Sequence, residues 1–286
     1  MKKPMIQNQV NSPALFDLTG RTAVVAGGGG LLGAQFCRTL AAAGARVVVA
    51  DWAFAAAAAV AEELNRGAET DTPLALAVEI DITSPDSNAR LAEQTLAAFG
   101  RWDILVNSDA MDPKFDPAHA DRSASGAFED FPLEAWQQAL DVNLTGMFLT
   151  CQAAVKPMLA QGRGVIINIS SIYGLVAPDQ RLYQQPGQPA RYKPVYYSVT
   201  KAGVLGLSRY LVSYYGASGI RVNTLTPGGV FNDHDDDFVQ AYAARAILGR
   251  MAAQDEMNGA LLFLASDASA YMTGANLVVD GGWSAW

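Results

Sequence analysis

An apolar run, Arg21–Ala26, opens into Gly27-Gly28-Gly29-Gly30-Leu31-Leu32-Gly33 and then into an apolar-periodic helix reaching about Ala43. No other stretch limits the fold so tightly. Glycine lets the chain turn sharply where a strand ends. It also lets the backbone approach a pyrophosphate, which then rests on the N-terminus of the following helix. Gly28, Gly30 and Gly33 fit G-x-G-x-x-G, while Gly27, Gly30 and Gly33 fit G-x-x-G-x-x-G. A merely flexible turn would also be glycine-rich, so the spacing gains meaning only if more strands and helices alternate after it.

The alternation continues. Gly44 ends the helix and Arg46–Ala50 is a second strand, with Asp51 at its end, 24 residues after Gly27. A carboxylate there can accept hydrogen bonds from both hydroxyls of an adenosine ribose and would repel a 2′-phosphate. Neither Gly30 nor Trp52 carries a positive charge to offset that repulsion, so NAD is expected over NADP. Asp51 could also cap the next helix, and the two roles can coexist. That helix, about 54–66, leads to a third strand, Leu74–Ile80, closed by Asp81-Ile82-Thr83. Asp81 is placed to meet the adenine. Its other reading is a helix cap, a task Ser84 would do equally well. A fourth strand, Ile104–Val106, ends at Asn107-Ser108-Asp109-Ala110. The alternation implies an α/β fold: a doubly wound, Rossmann-like parallel sheet, one domain over 16–286. Ligands of such sheets bind beyond the carboxyl ends of the strands, where the residues named so far lie. Residues 1–15 are polar and aperiodic and read as an arm.

In the second half, a helix from about Leu133 to Ala160 carries Asn143. Strand Gly164–Asn168 leads to Ser170-Ser171, and strand Ile220–Leu225 leads to Pro227-Gly228-Gly229-Val230. A last helix (256–265) and strand (277–279) precede Asp280-Gly281-Gly282-Trp283. The loops 111–131, 177–194 and 229–250 are expected to hold substrate, because long connections in a compact domain usually have a function. Asp233-His234-Asp235-Asp236-Asp237 opens a helix, whose dipole favours acids there. His119 and His234 have no partner at metal-ligand spacing and are expected to be exposed; no metal site is expected.

Tyr197 and Lys201 stand four residues apart, which puts them on one helical face about one turn apart. A free phenol titrates at about 10 and is a poor acid or base at neutral pH. Bringing it to about 7 takes about 4 kcal/mol. A neighbouring ammonium together with a bound cationic nicotinamide is expected to supply that. Y-x-x-x-K alone is common on surface helices, so its surroundings give it weight.

A formal charge of −8 and a pI near 4.7 argue against nucleic acid or an anionic membrane as partner. Cys37 and Cys151 fall in apolar helical patterns and read as reduced core thiols of a cytoplasmic protein. Met1-Lys2-Lys3-Pro4 has no apolar run behind it, and no stretch has the length of a membrane span.

At these residues the chain resembles the short-chain dehydrogenase/reductase family over nearly all of 16–283. The matching words are A-G-G-G-G-L-L-G (26–33), Asp81-Ile82, N-S-D-A (107–110), V-N-L-T-G (142–146) and I-S-S-I-Y-G (169–174). Y-S-V-T-K (197–201), N-T-L-T-P-G (223–228) and V-D-G-G (279–282) complete the set. The resemblance implies a catalytic set of Asn143, Ser171, Tyr197 and Lys201. Tyr197 would be the general base or acid, and Ser171 would hold the substrate oxygen. Lys201 would lower the tyrosine pKa and bind the nicotinamide ribose, and Asn143 would hold a water leading from the lysine to solvent. Cofactor contacts are expected from Gly27, Gly30, Leu31, Leu32, Gly33, Asp51, Trp52, Asp81 and Ile82. Further contacts are expected from Asn107, Tyr197, Lys201, Pro227, Gly228 and Val230.

Three departures stand out. Leu31 replaces the family's usual middle glycine and Ala26 its threonine. The G-x-x-G-x-x-G spacing looks like the extended branch, but the chain lacks that branch's C-terminal region, which implies the short, classical type. The usual N-N-A-G reads N-S-D-A, which leaves Asp109 without a role. Ser171 and Tyr197 are 26 positions apart, about twice the family's usual gap. The extra segment, 179–194, holds Arg181, Arg191, Lys193 and four glutamines. It suits a polyhydroxylated or anionic substrate better than a steroid or fatty chain, unless it is a subunit contact or a solvated insertion. Residues 107–116 also resemble members found in bacterial surface-sugar and nonulosonate pathways. The expectation is an NAD-dependent oxidoreductase of a secondary alcohol or ketone in a sugar, polyol or hydroxy acid. Its rivals are a sugar epimerase or dehydratase using NAD transiently, and a non-catalytic NAD-binding regulator. The resemblance also implies a homotetramer, with Trp283 and Trp286 packing against a neighbour.

Overall fold

Runs of Val, Ile and Ala without polar alternation belong in strands covered on both faces. The computed structural model describes residues 13–66, 73–112, 126–184 and 190–286, and it places seven such runs in one parallel sheet. They are β1 (Thr22–Ala26), β2 (Arg46–Asp51), β3 (Ala75–Glu79), β4 (Ile104–Asn107), β5 (Gly164–Ile169), β6 (Ile220–Pro227) and β7 (Asn276–Val279). The spatial order is β3-β2-β1-β4-β5-β6-β7. The order reverses between β1 and β4, where Ala26 pairs with Asn107, and a crevice opens at that point beyond the strand ends.

Successive strand residues point to opposite faces, so each strand feeds two cores. Val25, Val49 and Val106 pack with Phe36 and Leu40 of α1 (Leu31–Ala42) and with Leu261 and Leu264 of α8 (Asn258–Ala265). Val24, Val48 and Leu105 pack with helices of the other layer. These are α3 (Pro85–Phe99), α5 (Met147–Gln161) and α6 (Val195–Tyr215), through Leu91, Met158 and Val204. The remaining helices are α2 (Phe54–Asn65), α4 (Leu133–Leu140) and α7 (Asp236–Ala243). Ser84 caps α3, its Oγ accepting from Ser87 N at 3.2 Å, with Pro85 at the first helical position. Asp235 caps α7 by accepting from Phe238 N at 2.8 Å, so the acidic run starts a helix as its charge pattern implied.

The fold departs from the sequence expectation in two places. The helix expected from Leu133 to Ala160 is broken by a π-helical turn, Asp141–Gly146, which carries Asn143. Such a turn inserts one residue into the hydrogen-bond ladder and re-aims the side chains after it, a change the apolar pattern does not record. Of the arm expected over 1–15, residues 1–12 lie outside the described residues, and Pro13–Phe16 is a 3-10 turn. Trp283 does not wait for a neighbour. It is buried, with its ring stacked on Tyr242 at 4.3 Å between centroids, because its own chain supplies the aromatic partner. Trp286 remains exposed and donates Nε1–H to Arg245 O at 3.1 Å. No helix among the described residues is long and apolar enough to cross a membrane.

Candidate active site

A cleft of about 1620 Å³ lies beyond the carboxyl ends of the strands and reaches from the glycine loop to the insertion. At one end the backbone is shaped for close approach. A Cβ on Gly33 would stand 1.9 Å from Gly27 O, and one on Gly27, at φ +75°, would stand 2.8 Å from Asp109 N. Gly30 is the N-cap of α1 and provides no side-chain cap, so the first-turn N–H groups are left for a ligand. Gly27, Gly30, Leu31, Leu32 and Gly33 line the cleft, whereas Gly28 does not. Gly28 is a packing glycine, since a Cβ there would meet Val25 O and the Val49 side chain at 2.8 Å. The spacing that frames the ligand is therefore Gly27, Gly30, Gly33.

Asp51 is buried at the end of β2. Its Oδ2 accepts from Gly29 N at 2.9 Å and its Oδ1 from Ala53 N at 3.0 Å. Ala53, not Asp51, is the N-cap of α2. A carboxylate has about four acceptor positions, so Asp51 braces the loop and keeps capacity toward the cleft. Trp52, 70% exposed, stands beside it on the rim. Asp81 and Ile82 also line the cleft, as do Pro227, Gly228 and Val230. Asp81 holds Thr83 through N (2.9 Å) and Oγ1 (2.6 Å) and leaves the helix cap to Ser84. A bare helix N-terminus, a glycine cradle and a carboxylate with spare acceptor positions at the cleft fit an adenine dinucleotide.

Ser171, Tyr197 and Lys201 meet at the foot of the cleft, where β5 ends and α6 begins. Lys201 is buried and donates Nζ–H to Ile169 O at 3.0 Å; its Nζ lies 5.8 Å from the Tyr197 ring centroid. Burial pushes its ammonium down to about 8, so it still holds its proton at neutral pH. The Tyr197 phenol is raised instead of lowered. Burial is the main cause and the Asp112 charge the next, while a hydrogen bond with Ser171 works against both. In the protein alone, the lysine does not overcome desolvation. The acidification was expected from the ammonium and a bound nicotinamide cation together, and that cation would have to offset the burial.

Two expected site residues do not reach the cleft. Asn107 is buried beneath it and donates Nδ2–H to Asn168 Oδ1 at 2.8 Å, because the close β4–β5 pairing gives the amide a partner inside the sheet. Asn143 is also buried. Its Oδ1 accepts from Met111 N at 2.5 Å, and Nδ2 donates to Met111 O at 3.2 Å and to Thr200 Oγ1 at 3.3 Å. Both amide protons are used, so the side chain keeps only a second lone pair of Oδ1 for the water that the resemblance implied. What Asn143 visibly does is fix the strand-end loop that carries Asp109 and Asp112. Asp109 faces Asp51 and Lys201; burial, then the Asp51 charge, pushes its carboxyl up to about 7.

The far end of the cleft is aromatic, which the motifs did not announce. Tyr183 donates its hydroxyl to Tyr173 at 3.0 Å and packs on Phe238. Tyr173 meets Tyr197 edge-on at 6.5 Å. The signal was the i, i+4 pair Phe238 and Tyr242 behind the acidic helix start. His234 was expected to be exposed, but it is half-buried in this wall and stacked on Phe238 at 4.9 Å. His119 lies outside the described residues. The described part of the insertion is anchored at several points, although Arg181, Gln184, Arg191 and Tyr192 are exposed. Asp179 pairs with Arg181 and Arg245, Leu182 is buried, and Lys193 enters the cleft. Gln185 and Gln188 lie outside the described residues.

A family model described as enoyl-(acyl carrier protein) reductase matches residues 30–284. The 3-alpha-(or 20-beta)-hydroxysteroid dehydrogenase of Mycobacterium tuberculosis is 39% identical over 265 residues, 93% of this chain and 90% of that protein. The D-threitol dehydrogenase of Mycolicibacterium smegmatis is 35% identical over 276 residues, 94% of this chain and 95% of that protein. The structure of a gluconate 5-dehydrogenase from Burkholderia cenocepacia, in complex with NADP and tartrate, superposes with a TM-score of 0.81 at 28% identity. It covers 96% of this chain and 99% of that one. On the fold, the cleft and these relatives together, the chain is a nicotinamide-dependent oxidoreductase and belongs to the short-chain dehydrogenase/reductase family.

Proposed function

We propose that the protein moves a hydride between NAD and a secondary hydroxyl or ketone of a small polyhydroxylated substrate, with Tyr197 as its acid–base group. The observation that carries this is the convergence of Ser171, Tyr197 and Lys201 at the foot of a cleft whose other end is a dinucleotide cradle. When bound, the nicotinamide supplies the hydride acceptor and a positive charge. Ser171 holds the substrate oxygen beside the phenol. Tyr197 takes the hydroxyl proton in oxidation and returns it in reduction. Lys201, held on Ile169 O, faces the same ring and favours the phenolate. Asn143 serves by keeping the Met111 backbone, and hence Asp112, in place.

Asp51 favours NAD because, among the described residues, no cation shares its corner of the cleft to receive a 2′-phosphate. Asp51→Ala is expected to narrow the kcat/KM preference for NAD over NADP by at least about tenfold, equivalent to about 1.4 kcal/mol. An unchanged ratio would remove Asp51 as the discriminator. Threitol and gluconate relatives support a polyol or sugar-type substrate, and so does the polar insertion. Screening sugars, polyols and hydroxy acids for net NADH formation tests the reading. Tight NAD binding with no net NADH from any of them would favour an epimerase, a dehydratase or a regulator. A homotetramer is proposed too, supported by the face of α6 on which Val199, Tyr210 and Tyr214 are exposed.

A further inference from the structure

Asp109 has no role in the motif that contains it, but the fold gives it a definite place. It follows β4, is half-buried, and lines the cleft beside the glycine loop. A Cβ on Gly27 would stand 2.8 Å from Asp109 N and 3.1 Å from its Cα. Backbone packed that closely cannot draw back without moving the Gly27 turn. Asn143 fixes the same loop two residues on, through both backbone groups of Met111.

The Asp109 carboxyl lies within electrostatic reach of Asp51, at the end of β2, and of Lys201, on α6. Asp51 marks the adenosine end of the cleft and Lys201 the nicotinamide end, so Asp109 sits along the stretch that joins them. The glycine loop packed on it brings no ionisable side chain. Lys201 is faced in turn by Asp112 and Lys193. Burial and the Asp51 charge disfavour the carboxylate, while its own backbone N–H and Lys201 favour it. With the carboxyl at about 7, the free protein holds Asp109 partly protonated at neutral pH.

We propose that Asp109 makes cofactor binding proton-linked: the reduced dinucleotide binds with uptake of a proton by this carboxyl, and the oxidised one binds without it. The proposal rests on the reading of the cleft as a dinucleotide site. Both forms carry an anionic diphosphate, and added negative charge favours the neutral carboxyl. The oxidised nicotinamide ring also carries a positive charge, which favours the carboxylate and offsets the diphosphate. The reduced ring has none. The proton on Asp109 therefore follows the redox state of the cofactor. Below about pH 7 the carboxyl is already neutral, and NADH binds at full strength. As the pH rises, the free protein ionises, and NADH must bind with recovery of the proton, so its affinity falls. NAD affinity stays level over the same range.

Isothermal calorimetry of NADH and NAD binding at about pH 7, in buffers of different ionisation enthalpy, counts the protons. Wild type is expected to take up several tenths of a proton per site with NADH, and about a tenth or less with NAD. Infrared difference spectra should show a carboxylate band replaced by a protonated-carboxyl band when NADH binds. That band separates Asp109 from Lys201, an amine that titrates at about 8. In Asp109→Asn the band should vanish and the uptake fall by at least about half. This variant mimics the neutral carboxyl, so it should bind NADH as wild type does at about pH 6 and at least about threefold more tightly at about pH 8. Loss of a merely structural residue would weaken binding at both. Thermal melting shows that the variant folds, and the wild-type calorimetry and spectra stand without it. No carboxyl band with NADH, equal uptake with NAD and NADH, or a variant that keeps the wild-type uptake overturns the proposal and leaves the dinucleotide site standing. Failure of both cofactors to bind would overturn both readings.

Discussion

Replacing Tyr197 with Phe is expected to lower kcat by about 10³-fold or more while leaving NADH affinity within a factor of about two, the loss of a positioned general acid–base group. The substitution removes one oxygen and keeps the ring. The edge-on contact with Tyr173 survives, as does the packing under Lys193. Ser171 loses its phenolic partner but still accepts from Tyr173 N at 3.2 Å, so no buried hydroxyl is stranded. The glycine loop and Asp51 stand at the other end of the cleft, so most of the expected cofactor contacts are kept, with at most the one from the Tyr197 hydroxyl lost. The readout is steady-state NADH formation beside NADH titration by fluorescence. Residual turnover above a tenth of wild type would mean that another group moves the proton.

Gly33→Ala is expected to act on the opposite quantity. The added Cβ would lie 1.9 Å from Gly27 O, 2.7 Å from Gly27 C and 2.9 Å from Gly28 Cα. All three are backbone atoms, and none can rotate away as a side chain would. Gly27 O also accepts from Gly30 N at 3.1 Å, so the turn that positions the start of α1 must give. Forcing a methyl into a packed site costs about 1–3 kcal/mol. Spent on the cradle, this is a drop in cofactor affinity of roughly 10- to 100-fold. The Tyr197 end is untouched, so kcat at saturating cofactor should fall much less. Gly206→Ala is the control, because its Cβ would meet nothing within 4 Å and it does not line the cleft. Unchanged NADH affinity in Gly33→Ala would show that the loop is not the cradle.

The sheet was legible in the sequence because its signal is redundant. Continuous apolar runs such as Val47-Val48-Val49 sit between glycine and aspartate stops, and those stops set both the strand ends and the site. Tyr197, Lys201 and Ser171 were legible for a related reason, as they lie on the strand-end side of regular elements. Asn143 was legible by position only. Its work depends on a π-helical turn, and a one-residue shift in the hydrogen-bond ladder leaves no mark on hydrophobic periodicity. The side chain that meets Lys193 could not be read at all, since Asp112 is 81 positions away and spacing says nothing about pairs that only the fold brings together. What the spacing could not convey is how far burial alone raises the Tyr197 phenol. Four residues of helix fix proximity to the ammonium, but they say nothing about the water removed around the phenol, and burial outweighs the lysine here.

On the proposed function, Lys201 alone leaves Tyr197 protonated, and a bound nicotinamide cation would complete its activation. The direct measurement is an ultraviolet difference titration of the phenolate, wild type against Tyr197→Phe, without and with saturating NAD. Without cofactor, the Tyr197 signal should stay absent until well above the range of an ordinary tyrosine. With NAD it should appear near neutral pH. A phenolate already present near neutrality in the free protein, or a titration that NAD does not move, would contradict it.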